Sequence, residues 1–132
     1  MSYEVITPSD LDIEPEKHEQ RAAKVIANHL KQNVKFVKRS PTSRTADILV
    51  IRTNVYWEIK GIKGDGKRTI QNNLRESQRQ ARNLILELSQ TNLTPEKVIG
   101  RVKEAARKKR YNIKQAVIIT KSKKVIDISD IV

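Results

Sequence analysis

The sequence contains no cysteine, which excludes disulfides and thiolate-ligated metals. Aromatic residues make up 4% of it and hydrophobic residues 37%, both low, yet the apolar residues are grouped rather than scattered, which argues against disorder. No apolar run approaches the length of a membrane span, and the N-terminus shows no secretory signal pattern. The two histidines, His18 and His29, are too few and too far apart to favour a histidine-based site, while His18 beside Glu19 leaves metal-free acid–base chemistry open. Glycine is scarce as well. Three of the four glycines fall in GIKGDGK, Gly61 to Lys67, which is not a phosphate-binding motif and reads as a mobile loop able to close on a substrate.

Positive charge is abundant. Lysine and arginine number 27 against 15 aspartates and glutamates, a net charge of +12 and a pI near 10.1. Such a field attracts polyanions, of which nucleic acid is the commonest; an anionic membrane or an acidic protein also fits. A chain of 132 residues is one domain by default and long enough to bury a core.

Residues 1–14, with Pro8 and four acids, read as an N-terminal arm, and residues 15–132 as a single domain. Pro15 suits the first turn of a helix that runs to about Gln32, with Ala22, Ala23, Val25, Ile26 and Leu30 at helical spacing. Val34–Lys38 alternates apolar and basic residues, as a half-buried strand does. Ile48–Ile51 and Val55–Ile59 are two further strands joined by a turn at Thr53 and Asn54. Thr69–Asn83 is a second helix and Leu84–Leu88 a compact buried strand. Thr94 and Pro95 cap a third helix reaching about Arg110, and strands follow at Ala116–Thr120 and Val125–Ile128. This order implies an α/β fold with a mixed central sheet flanked by helices.

Three charged residues stand out in the central strands. Alternation puts Tyr56, Glu58 and Lys60 on one face and Trp57 and Ile59 on the other. A two-residue turn at Thr53 and Asn54 would set Leu49 opposite Glu58 and Asp47 opposite Lys60, with the two carboxylates on a diagonal roughly 7 Å apart. Buried together, they call for a cation, and oxygen ligands suit magnesium or manganese. Such an ion acidifies water and offsets phosphate charge, with Lys60 alongside holding the attacking water. The structural alternative is an Asp47–Lys60 surface ion pair with Glu58 solvated. Glu19 lies on the apolar stripe of the first helix, four residues before Ala23 and seven before Ile26. It either faces the sheet near Asp47 and Glu58 or favours the helix dipole from the first turn.

Asp47, ten residues and then Glu58-Ile59-Lys60 resembles the signature of the PD-(D/E)xK nuclease superfamily. HEQRAAKVIANHL, TADILV, YWEIKGIKG and RTIQNNLRESQRQARNLILEL resemble the C-terminal tRNA-nuclease domain of contact-dependent growth inhibition toxins of the CdiA type, over about Lys17 to Ile128. The resemblance implies a restriction-endonuclease-like fold and cleavage of tRNA with a divalent metal, magnesium, manganese or zinc. It implies Glu19, Asp47, Glu58 and Lys60 as the catalytic set, with Asp47, Glu58 and Glu19 at the metal. It further implies an acidic immunity protein as partner and action in the cytoplasm of a target cell after delivery within a larger toxin. The superfamily's proline before the first aspartate is Ala46 here, a change of backbone shape rather than of chemistry. A DNA endonuclease of the same fold and a non-catalytic basic nucleic-acid-binding module are the alternatives.

Lys63, Lys67 and Arg68 flank the candidate site, and Asn72, Arg75 and Arg79 form one ridge on the second helix. Lys63, Lys67, Arg68, Arg75 and Arg79 are the expected nucleic-acid contacts. Gln78 reads as solvated, and Gln80, by resemblance, leans toward the site. Lys103 and Arg107 to Arg110 make a basic patch that suits either RNA or the helix C-terminus. Trp57 is expected in the core, and Tyr56 either stacks on a base or packs.

Overall fold

The structure is a computed structural model that describes residues 3–11, 13–38, 46–77 and 82–132. In chain order the elements are β1 (Val5–Ile6), α1 (Lys17–Leu30), β2 (Val34–Phe36), β3 (Ile48–Val50), β4 (Val55–Gly61), α2 (Thr69–Ser77), β5 (Asn83–Glu87), α3 (Pro95–Lys108), β6 (Gln115–Ile119) and β7 (Val125–Asp127), closed by a 3-10 turn at Ser129–Ile131. The seven strands form one mixed sheet in the order of the chain. β1 and β2 are parallel, β2–β3 and β3–β4 antiparallel, β4–β5 and β5–β6 parallel, and β6–β7 antiparallel.

The helices start and stop for local reasons. α1 begins after Glu16, not at Pro15: Glu16 keeps extended backbone, and its N–H is accepted by Glu19 Oε1 at 3.0 Å. Lys31 ends α1 in the left-handed region at φ 56°, its N–H bonded to Ala27 O. Thr94 caps α3 as expected, its Oγ1 accepting from Lys97 N at 3.2 Å with Pro95 at the first position. The last described residue of α2 is Ser77, and Asn83, expected at the end of that helix, instead opens β5. Gln78, Arg79 and Gln80 lie outside the described residues.

The sheet has a core on each side. Ala22, Ala23, Ile26 and Ala27 of α1 pack on Val34, Ile48, Trp57, Ile59, Ile85 and Val117. On the other face Ile70 and Leu74 of α2 and Val98 and Val102 of α3 cover Leu84, Leu86, Ala116 and Ile118. β5 and β6 are buried on both faces, which is why their sequences are almost continuously apolar. Residues of the N-terminal arm take part: Val5–Ile6 pairs with β2, and Tyr3, Val5 and Leu11 pack against the α1-side core. Among the described residues no helix is long and apolar enough to cross a membrane.

Candidate active site

The β3–β4 ladder pairs Ile48 with Trp57, Leu49 with Tyr56 and Val50 with Val55. The turn therefore occupies Ile51 to Asn54, four residues rather than two. A two-residue hairpin turn favours positive φ at both central residues, which β-branched Thr53 resists; of the four turn residues Asn54 alone has it, at 57°. The register is thus displaced by two from the expected one. An even displacement leaves every side chain on its expected face and changes only its partner. One step along the ladder, Asp47 lies opposite Glu58 rather than Lys60.

Backbone bonds hold Asp47 in place on both sides: Val37 N–H donates to its carbonyl at 3.0 Å, and its own N–H donates to Trp57 O at 3.0 Å. Its carboxylate turns toward β4 and accepts the Ile59 N–H through Oδ2 at 2.7 Å. Asp47 is 8% exposed and Glu58 3%, so both acids are buried. Glu58 and Lys60 pair in register with Leu84 and Leu86, which places them on the sheet face covered by α2 and α3. Lys60 Nζ lies 3.7 Å from Glu58 Oε1 and 3.4 Å from Glu76 Oε2. Asp47, Glu58 and Lys60 thereby share one face of the sheet, and Lys60 reaches Glu76 of α2.

Glu19 approaches from the other side of the sheet. It is 6% exposed, as its place on the α1 stripe requires, and it serves the start of the helix by accepting from Glu16. The neighbouring His18 sits over Gly61 at the end of β4, so tightly that a Cβ on Gly61 would lie 2.5 Å from His18 Cδ2. His18 Nδ1 is 3.2 Å from Glu16 Oε2. Among the described residues, Glu16, His18 and Glu19 are the three whose ligand atoms come within 4.8 Å of one another.

Of the expected nucleic-acid contacts, Lys67, Arg68 and Arg75 are exposed and line a groove between α2 and α3. Lys63 is exposed but does not line that groove, and Arg79 lies outside the described residues. The glycine loop is braced by three hydrogen bonds in the structure. Arg101 Nη1 donates to Asp65 O at 2.9 Å and Gly66 O at 2.7 Å, and Thr91 Oγ1 donates to Gly64 O. Gly64 has φ +78°, a value that favours glycine there. Trp57 is in the core as expected, and Tyr56 is 44% exposed on the Glu58 face.

Two features went unread in the sequence. Glu76, the single acid of α2, contacts Lys60. Glu87, at the end of β5, is fully buried and paired with Arg21 Nη1 at 3.1 Å. An acid inside the apolar run NLILEL was the available signal for Glu87, of the same kind that drew attention to Glu58.

The family model of the contact-dependent growth inhibition CdiA C-terminal domain matches residues 43–125. No curated protein matches the sequence. Among solved structures, a chain of the CdiA-CT/CdiI toxin and immunity complex from Burkholderia pseudomallei is similar, with a TM-score of 0.65 over 95% of this chain and 98% of that one, at 13% identity. At that identity the likeness is one of fold.

Proposed function

The chain belongs to the family of contact-dependent growth inhibition CdiA C-terminal domains, and on that premise we propose that it is a toxin acting as a metal-dependent nuclease of the PD-(D/E)xK type, with tRNA as substrate. One observation carries the chemistry: two buried carboxylates, Asp47 and Glu58, stand opposite each other on adjacent strands with the Lys60 ammonium group beside them. Such acids repel unless a cation compensates them. Two carboxylates are what magnesium commonly takes from a protein, the rest of its shell being water and substrate phosphate. Asp47 and Glu58 therefore fit as its holders, and Glu19 would assist from the first turn of α1. The ion would acidify water and offset phosphate charge.

The residues divide the remaining work. Backbone bonds fix Asp47, and the Ile59 N–H orients its carboxylate. Lys60, held between Glu58 and Glu76, would donate to the attacking water and to a phosphate oxygen as charge builds there. Water adds at phosphorus as one ester P–O bond breaks. The positive surface draws the substrate in.

The similar Burkholderia chain comes from a toxin and immunity complex. We extend this to a dedicated immunity partner for the present chain, acidic so as to match its charge, and to action in a target-cell cytoplasm after delivery. The test is incubation with tRNA and with plasmid DNA in magnesium, manganese or zinc, then with chelator. Cleavage of tRNA alone, abolished by chelator and by Glu58→Ala, supports the reading. Cleavage of DNA instead moves the substrate, and retardation without cleavage in every metal refutes the nuclease assignment.

A further inference from the structure

The groove between α2 and α3 has a volume of about 880 Å³. Lys67, Arg68 and Arg75 line it from in and before α2, and Arg101 and Lys108 from α3. Against these five cations stands, among the described residues, one carboxylate, Glu104, which Lys108 already engages at 3.4 Å. We propose that this groove carries the sugar–phosphate backbone of the RNA substrate away from the bond being cut. The proposal rests on the nuclease reading and adds to it a binding track with a second wall on α3.

The chemistry of the lining selects the occupant. Small-molecule pockets of roughly 300–1,000 Å³ are mostly apolar and aromatic, whereas among the described residues Ala105 is the one hydrophobic side chain here. A protein partner would need buried aromatic or aliphatic anchors at the centre of its footprint, and the groove offers none. Among the described residues no aromatic lines it, so none of them offers bases a stacking surface. What remains to recognise is phosphate charge, read without regard to sequence.

Position and bracing point the same way. Arg75 of the groove and Glu76, whose carboxylate touches Lys60, belong to the same short helix, so α2 serves both the groove and the candidate site. Arg101 is held at the wall by its bonds to Asp65 O and Gly66 O, and Arg75 by Asn72 Oδ1 at 3.1 Å. Cations braced before the ligand arrives lose less side-chain freedom on binding it.

The experiment uses the full chain carrying Glu58→Gln, so that RNA is bound without being cut. Affinity for unfractionated transfer RNA is measured by fluorescence anisotropy across a salt series. Replacing Arg75 and Lys108 together by glutamine should weaken binding and lower the slope of log affinity against log salt by about two, one per lost phosphate contact. Removing the same charge at Lys24 and Lys121, exposed and outside the groove, should change the slope by less than half as much. Glu104→Lys should tighten binding, which keeps the inference testable if the double variant folds poorly. Equal effects of the two double variants, no effect of the groove variant, or no RNA binding by the parent overturns the track. So does retention of RNA affinity with loss of binding to an acidic protein. If the groove variant loses affinity while the Glu58-bearing parent cuts no RNA, the track stands and the nuclease reading falls. If the parent cuts RNA and the groove variant binds as it does, the reverse holds.

Discussion

Arg21→Met is the perturbation that most directly tests how α1 is fastened to the sheet. Arg21 Nη1 pairs with Glu87 Oε2 at 3.1 Å, and Nη2 donates to Thr120 O at 2.9 Å and Lys121 O at 2.7 Å. One guanidinium thus ties the first turns of α1 to the end of β5 and to the β6–β7 turn. Glu87 has no exposed surface, and Ser89 satisfies it further, through its N–H at 2.6 Å and its hydroxyl. Methionine keeps most of the apolar stem and removes the charge and the donors. Breaking one side of a buried pair costs about 3–5 kcal/mol. The Arg21 side chain is 19% exposed and the Ser89 bonds remain, so the lower end applies, about 3 kcal/mol. For a chain of this size that lowers Tm by roughly 10 °C. Adding Glu87→Gln should recover about 2 kcal/mol, because a neutral amide still accepts from Ser89 and no longer needs a counter-charge. Urea unfolding of the parent, both single variants and the double variant gives the coupling directly. A loss below about 1 kcal/mol for Arg21→Met, or no recovery in the double variant, would refute the view that this pair fastens α1.

The other outcomes can be checked separately. Lys60→Met removes the cation 3.7 Å from the buried Glu58 carboxylate, so it should destabilise by about 3 kcal/mol and, assayed where urea unfolding shows the variant still folded, lower the cleavage rate at least a hundredfold, about the loss of one transition-state donor; a normal rate removes Lys60 from the chemistry. Gly61→Ala would place a methyl 2.5 Å from His18 Cδ2 and 2.7 Å from His18 Nε2, so it should destabilise by about 1–3 kcal/mol as overpacking does. An unchanged thermal midpoint would show that His18 moves aside freely. Asp127 is held below its ordinary 3.8 chiefly by the Ser129 side chain, then by the Ser129 N–H, with His29 adding to the effect and burial opposing it. A lowered folded-state pKa gives stability that is complete above the ordinary value and lost as pH falls through the lowered one. The stabilities of Asp127→Asn and the parent should therefore differ at neutral pH and converge in strong acid; a constant difference across that range would show that ionisation of Asp127 plays no part.

Legibility followed the range of the interaction concerned. Periodicity is local, and it located α1, α3 and six of the strands to within a few residues. β1 escaped because two residues show no period; it exists by pairing with β2. Alternation placed Glu58 and Lys60 on one face, which the structure keeps, but their partner across the hairpin depended on the turn. Thr53 looked like half of a two-residue turn, and the left-handed residue is Asn54 alone among the four of the turn. The bonds to the glycine loop were invisible because Arg101 lies on α3 and reads in sequence as one more cation on an amphipathic helix. Glu87 hid within an apolar run, and its partner Arg21 lies 66 positions earlier. Long-range ion pairs of this kind leave no spacing for a sequence to display.

The spatial order of the strands repeats their order along the chain from β1 to β7. Each new strand therefore finds its neighbour already laid down, and no strand must wait for a distant part of the polypeptide to arrive. Loop-closing entropy rises with the length of chain enclosed, and folding slows as contacts become less local. A sheet assembled by successive addition suits a polypeptide that leaves the ribosome from one end and becomes compact as it emerges.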